Sequence, residues 1–431
     1  MQNKVVKNAA WIIMCRIVQA VLSLIVTMLT ARYLAPRGYG LINYAASLVA
    51  FVTPIMKLGL DSILVQAFVN KPDESGKIMG TTFVMSLASS VLCIIGVIGF
   101  AIVANAGDRT TILVCALYSI SLFFQALELV QYYFQAQLKS KYISIIGLIA
   151  YFLVSAYKIF LLIAKSSIYW FAISHALDYL IISFLLIRIF CKISGQKLRF
   201  SFATAKGLFA NSKYYIISNL MVVIFATTDK IMINLMLGAT QTGYYSAAVA
   251  CASMTAFVFS AIIDSFRPVI FESKKANNNE FEGNVAKLYS IIIYLSLIQS
   301  VIIATFSPLI INILYGVDYA TSVDALRIIV WYTTFAYLGS VRNIWILAEG
   351  HQKYLWIINL SGALVNVLLN LVFIPKWGIN GAAFASLITQ IFTNIIISFL
   401  IKLLRPNGVL MLKGLNPKTL FSMIRNSVKK D

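Results

Sequence analysis

The chain has 431 residues, a net charge of +20, 60% hydrophobic residues and only 12% charged residues. A soluble domain carries about twice that charged share, so an ordinary globular protein is excluded. Mean hydropathy is +0.86, and apolar runs of about 20 residues recur along the chain, the length of helix that crosses a hydrocarbon core about 30 Å thick. The expected fold class is an all-α polytopic membrane protein. The runs are about twice as long as barrel strands and lack strict alternation, which leaves helices as the spanning element.

About twelve spans are predicted, near residues 9–33, 40–66, 78–104, 111–137, 142–164, 167–191, 206–236, 243–270, 285–314, 322–348, 354–374 and 378–403. The first follows Lys4 and Lys7 but is too long for a signal-peptide core and contains Arg16, so it reads as retained. Arg16, Gln19, Ser23, Thr27 and Thr30 share one face of that helix. The second span holds Pro54, which removes one backbone hydrogen bond and favours a kink, and then Lys57 and Asp61. Gln125, Glu128, Tyr132 and Gln135 share a face of the fourth. Lys158 lies in the fifth, and His175 and Asp178 stand three residues apart in the sixth. The seventh aligns Asn219, Thr227, Lys230 and Asn234, with Asp229 beside Lys230. Asp264 and Arg267 lie in the eighth, Pro308 in the ninth, Arg327 and Arg342 in the tenth, and Asn359, Gly362, Asn366 and Asn370 form a stripe on the eleventh. Such stripes have two uses, as hydrogen-bonding glue between helices or as the lining of a pathway.

Positive residues set orientation. With the N-terminus inside, about 23 of the 35 Lys and Arg fall in cytoplasmic segments, and the other side holds Arg32, Arg37, Arg109, Lys165 and Lys376. Both termini are therefore expected in the cytoplasm, and the charge excess is topological, with anionic membrane lipids as its partner rather than nucleic acid. An offset of 203 residues brings Asn8 onto Asn211, Leu34 onto Leu237, Gly40 onto Gly243, and Asp61-Ser62 onto Asp264-Ser265. Two parallel repeats of six spans follow, with the boundary in the basic segment KISGQKLRFSFATAK. The expected domains are residues 1–203, residues 204–404 and a basic cytoplasmic tail, 405–431. Both a surface helix on anionic lipid and an unstructured segment fit that tail. Two such halves are the plan of a transporter whose substrate site lies between them.

An Arg, Lys or Asp at the centre of a span costs about 2.5–3.5 kcal/mol, so these groups should face water or a partner. The bases Arg16, Lys57, Lys158, Lys230, Arg267, Arg327 and Arg342 outnumber the acids Asp61, Glu128, Asp178, Asp229 and Asp264. A cationic cavity suits an anionic cargo, because the guanidinium fork matches phosphate oxygens. The candidate anion contacts are Arg16, Lys230, Arg267, Arg327 and Arg342, and the candidate sugar or gate contacts are Gln19, Glu128 and Asn234. Asp61, Asp178 and Asp264 are candidate gates or ion-coupling groups, with interfacial anchoring an equal alternative for Asp61 and Asp264. Phosphate-binding glycine loops, metal-ligand spacings and nucleophile elbows are missing, and the five cysteines show no metal pattern. No cofactor, metal or enzymatic activity is expected.

The stretch LTARYLAPRGYGLINYAAS (29–47) resembles the corresponding segment of Wzx-type polysaccharide flippases, members of the multidrug/oligosaccharidyl-lipid/polysaccharide exporter superfamily. LGLDS (58–62), YYFQAQLKSKYISI (132–145), DKIMINLMLGATQTGYYSAA (229–248) and PKWGINGAAFAS (375–386) continue the likeness through residue 404. It implies a V-shaped pair of six-helix lobes. It also implies flipping of undecaprenyl-pyrophosphate-linked oligosaccharide repeat units, of O-antigen or a related surface polysaccharide, from the cytoplasmic to the periplasmic leaflet of a bacterial inner membrane. Polymerase and chain-length proteins of the same pathway would be partners. Arg16 sits where the family's first helix often carries a basic cavity residue. The chain departs from the family in Ala35, where Gly is common, and in Gln137, where an acid is common. Rival readings are a cation-coupled multidrug exporter of the same superfamily, a peptidoglycan-precursor flippase, and an integral-membrane polymerase or transferase.

Overall fold

In a bilayer every backbone N–H and C=O must be bonded within the protein, and an apolar run of span length does this as helix. The computed structural model describes residues 2–416; the side chains of 2–18, 20, 21, 225 and 276 lie outside the description. The described residues form helices joined by short turns and one extended segment (195–201), with no strand among them. They form α1 (Gln2–Met56), α2 (Leu64–Asn70), α3 (Ser75–Ala104), α4 (Arg109–Ser119), α5 (Ser121–Glu128), α6 (Gln131–Ala136), α7 (Ser140–Ile163), α8 (Ile168–Ser194) and α9 (Phe202–Leu237). Then come α10 (Ala239–Ser253), α11 (Ala256–Ala276), α12 (Asn278–Thr305), α13 (Ser307–Leu314), α14 (Ser322–Ala348), α15 (Lys353–Ile391), α16 (Ile397–Leu400) and α17 (Arg405–Gly414).

Helix underlies every expected span, but the spans are not twelve separate rods. Six helices are long and apolar enough to cross a membrane, or up to eight if each of two bent pairs is one span. The first two expected spans run together as α1, and the last two share α15, because a single aberrant residue turns the chain in each: Ala35 (φ 54, ψ 173) and Gly378 (φ 60, ψ −138). The expected spans at 167–191 and 322–348 are α8 and α14, which lie outside that set.

By packing, the chain forms two compact units, Met1–Leu235 and Met236–Asp431. In the first, Leu60, Leu64, Phe68, Met79, Phe134 and Phe190 are fully buried in one apolar cluster. The faces are reversed from those of a soluble protein. On α3, Leu92, Ile95 and Val103 point outward, whereas Thr81, Thr82, Ser86, Ser89 and Ser90 are buried. Ser86 donates to the Ala126 carbonyl (3.3 Å) and Ser89 to that of Ile55 (3.2 Å), so small polar residues hold neighbouring helices. The segment after α8 is strapped along the first turns of α3. Gly76 N–H donates to the Gln196 amide (2.7 Å), Arg199 N–H to the Gly76 carbonyl (3.3 Å), and Ser201 N–H to the Thr81 hydroxyl (3.1 Å). The approach is so close that a Cβ on Gly76 would lie 2.5 Å from the Lys197 carbonyl oxygen, and one on Gly80 2.6 Å from the Arg199 nitrogen.

α9 belongs to this unit by contact. Asn219 donates to Asp61 (3.4 Å), Lys230 to Asn43 (3.3 Å) and Asn234 to Asn105 (3.5 Å). The 203/204 boundary read from the repeat divides the sequence, and the 235/236 boundary divides the contacts. They differ by the length of α9. Ala35 and Gly238, related by the repeat offset of 203 (238 less 35), share one backbone conformation: φ 54, ψ 173 and φ 87, ψ 174.

In the second unit, Phe281, Tyr289, Ile292, Val341, Trp345, Ile358, Leu404 and Met411 form the core. A polar seam joins α12 to α14: Ser300 and Thr334 are 3.0 Å apart, and Gln299 donates to Thr333 (3.5 Å). The asparagine stripe of the eleventh span is internal glue. Asn370 donates to Asn366 (3.1 Å), and Asn366 to Ser386 beyond the bend of α15 (3.4 Å). The start of the basic tail is ordered as α17, which packs on α12 with Tyr289 donating to Asn407 (2.9 Å). The remainder of that tail, 417–431, lies outside the described residues.

Candidate functional site

The first unit holds an open cavity of about 640 Å³ with polar groups in an otherwise apolar lining. The turn of α1 near Pro54 and the short segment after it supply Thr53, Lys57, Asp61 and Ser62. Tyr118 comes from α4, Gln125 from α5, His175 and Tyr179 from α8, and Asn219 from α9. Helical spacing explains why these groups converge. Lys57, just past the end of α1, closes one more turn by donating its N–H to the Thr53 carbonyl (2.9 Å), and His175 and Tyr179 are four apart on α8, so each pair faces one way. Tyr118 stacks on His175 (centroids 4.4 Å), and Tyr179 meets the same imidazole edge-on (5.1 Å). The imidazole is thus held between two phenol rings. Thr53 lies 3.5 Å from the Gln125 amide oxygen, and Gln125 donates to Ser121 (3.4 Å).

Behind the lining lies a network of half-buried charges. Glu128 feels Lys57 and Asp178, and Asp178 feels Lys158. Among the described residues, one oxygen of Asp178, Oδ1, is buried with no hydrogen-bond donor. A carboxylate oxygen so placed is a natural position for a proton or a small cation. His175 and Asp178 are not joined by a hydrogen bond: the imidazole is engaged by rings.

The remaining expected site residues are distributed as follows. Arg16 belongs to α1, and its side chain lies outside the description. Gln19 is half-buried against Gly147 of α7. Lys230 and Asn234 lie in a second polar cluster of the first unit, with Asn43, Asn105 and Tyr44; Asn105 donates to the Tyr44 hydroxyl (3.2 Å). In the second unit, Arg267 pairs with Asp264 (3.0 Å) and Arg327 with Asp324 (3.1 Å). Each partner lies three residues away and each pair is about half exposed. Arg327 also donates to Ser307 (3.1 Å). Arg342 is buried and donates to the Thr393 carbonyl and to Asn343 (3.0 Å).

The structure therefore brings Asp61 to the cavity and Glu128 and Asp178 to the charges behind it. Lys57, Gln125 and Asn219, polar span residues outside the expected site set, also line it. Tyr118 and Tyr179 gave no sequence signal beyond the i, i+4 spacing of His175 and Tyr179. With Lys57 and Asp61 as its charged lining residues, this cavity is balanced in formal charge. The expected cationic excess is not collected in it.

Long apolar helices with polar and charged groups turned inward are those of a multi-pass membrane protein. A protein family described as "Polysaccharide biosynthesis protein" matches residues 29–324. The chain belongs to that family, as the resemblance in its motifs implied. The lipid II flippase MurJ, in an inward closed conformation, has the same fold (TM-score 0.71, 16% identity, covering 93% of this chain and 90% of that one). So has a multidrug resistance MATE family transporter of the MOP superfamily in an inward-facing conformation (TM-score 0.68, 13% identity, 92% and 96%). An uncharacterised membrane protein of Methanocaldococcus jannaschii is 26% identical over 200 residues, 46% of this chain. The match spans only 39% of that relative's length.

Proposed function

We propose that this protein is a flippase that moves undecaprenyl-pyrophosphate-linked oligosaccharide repeat units from the cytoplasmic to the periplasmic leaflet of a bacterial cytoplasmic membrane. The halves 1–203 and 204–404 would alternate in access, with both chain termini in the cytoplasm. The observation that carries this reading is the family match over 29–324, which includes the cavity at Lys57, Asp61, Gln125, His175 and Asn219. Hydroxyl, amide and imidazole groups suit a sugar, and Lys57 suits a phosphate oxygen. Arg16, Lys230, Arg267, Arg327 and Arg342 are further anion contacts in this proposal, and Gln19, Glu128 and Asn234 contact sugar or gate. Asp178, with its free oxygen, is the coupling group, and Asp61 and Asp264 are gates. The pathway's polymerase and chain-length proteins would receive the product.

The test is complementation of a deletion strain. Lys57→Gln and Arg16→Gln should each abolish surface polysaccharide at unchanged protein abundance, and lipid-linked repeat units should collect on the cytoplasmic face. Wild-type export by both variants, or accumulation on the outer face, refutes the proposal. One observation favours a second reading, a cation-coupled multidrug exporter: the cavity is aromatic and balanced in charge rather than basic. In that case the deletion strain becomes sensitive to cationic drugs while its polysaccharide stays intact.

A further inference from the structure

The second unit holds a cavity of its own, about 750 Å³, where three chain turns meet. The turn from α11 to α12 contributes Lys274, Asn278 and Glu282. The turn from α14 to α15 contributes Trp345, Glu349, His351 and Tyr354. The segment from α16 into α17 contributes Ile401, Lys402, Leu403 and Pro406. None of these residues belongs to the transport site proposed above.

Its charges can be accounted for one by one. Lys274 is fully engaged: Glu349 lies 2.7 Å from its ammonium, Asn278 3.0 Å, and the Phe281 ring 4.7 Å. Glu282 is engaged by Lys413 at 3.5 Å. These two carboxylates are therefore neutralised within the protein. Lys402 lines the cavity and Arg405 follows it by one turn; both are exposed and neither makes an ion pair among the described residues. Arg405 donates one N–H to the Phe399 carbonyl and keeps the rest of its fork. One cation without an ion pair thus lines the cavity, and a second stands three residues further along the chain. Trp345, His351 and Tyr354 form a connected aromatic wall, with centroids 6.4 and 6.3 Å apart in sequence. The mouth is apolar, through Ile401 and Leu403. Further along the chain, α17 exposes Val409 and Leu412, and Leu415 just past its end is exposed too.

Unpaired cations, ring N–H and O–H donors, and an adjoining apolar strip occur together where a protein meets lipid headgroups. We propose that this cavity binds the phosphate-bearing headgroup of a membrane lipid, with the lipid's chains lying along the exposed face of α17. Phosphate oxygens would meet Lys402 and Arg405, and the aromatic wall would cover the glycerol or isoprenoid carbon next to the phosphate. The proposal is independent of the transported cargo.

Binding is measured by native mass spectrometry on the full chain in neutral detergent, titrated separately with phosphatidylglycerol, phosphatidylcholine, a polyprenyl phosphate and inorganic pyrophosphate. One anionic lipid should remain bound per chain, more tightly than the zwitterionic one. Preference for phosphatidylglycerol would identify a bulk phospholipid as its source, and preference for the polyprenyl phosphate a carrier lipid. Lys402→Gln with Arg405→Gln should weaken binding roughly 30-fold, from about 1 kcal/mol for each cation near a lipid surface. Lys402→Glu alone, which leaves the Arg405 hydrogen bond intact, should weaken it at least tenfold. Lys192→Gln with Arg199→Gln removes equal charge from the first unit and should leave binding unchanged. Equal losses in both double variants, retention of pyrophosphate without lipid, or no retained lipid at all would overturn the proposal.

Discussion

Ala35 is the position where sequence and backbone conflict most plainly. Its φ of 54 and ψ of 173 lie in a region that glycine occupies freely and other residues enter at a cost of about 1–3 kcal/mol. Pro36 drives its predecessor toward extended ψ but does not call for a positive φ. The Ala35 side chain is exposed, so removing its methyl group forfeits little burial. Ala35→Gly should therefore relieve the strain and give back about 0.4–1 kcal/mol through the freer unfolded chain. The net expectation is a gain of about 1 kcal/mol. Gly238→Ala is the mirror experiment. An added Cβ there meets nothing within 4 Å, so any loss is conformational, again about 1 kcal/mol. For a cooperative unit of this size, 1 kcal/mol moves a melting midpoint by about 2–4 °C. The assay is thermal unfolding of the purified protein in one detergent, both variants beside the parent. The reasoning is refuted if Ala35→Gly lowers or fails to change the midpoint, or if both variants move it in the same direction.

Two further outcomes are expected. Gly76→Ala with Gly80→Ala should lift the strap from α3, because each new methyl group would stand about 2.5 Å from strap backbone; overpacking of this kind costs about 1–3 kcal/mol. Trypsin should then cut at Lys197 and Arg199 far faster than in the parent, and an unchanged cleavage rate would refute the strapped arrangement. Lys158→Met should leave Asp178 without its counter-charge and cost about 2 kcal/mol, less than a fully buried pair because both groups are half-buried. Adding Asp178→Asn should recover much of the monodisperse yield in size-exclusion chromatography, and additive losses would show that the two charges do not interact.

Helix positions were legible because an apolar run of span length has one stable form in lipid, so the expected spans all overlie helix. The number of rods was not. A one-residue break such as Ala35 or Gly378 redirects the chain without interrupting the hydrophobic run, and hydropathy does not register it. Site residues were legible by cost but not by direction. Arg267 and Arg327 each have an acid three positions earlier, Asp264 and Asp324, and that spacing made their local ion pairs legible while saying nothing of which way they face. Tyr118 and His175 meet only because α4 and α8 pack together, a contact that no local pattern encodes.

The strap and the hydrogen bonds of α9 also determine where this polypeptide could be severed and still reassemble. A cut near residue 198 would separate α9 covalently from Asp61, Asn43 and Asn105, so a co-expressed C-terminal fragment would have to surrender its leading helix to the other piece. A cut near Gly238 would leave each fragment its own interior, Phe68 and Phe134 in one and Tyr289 and Trp345 in the other.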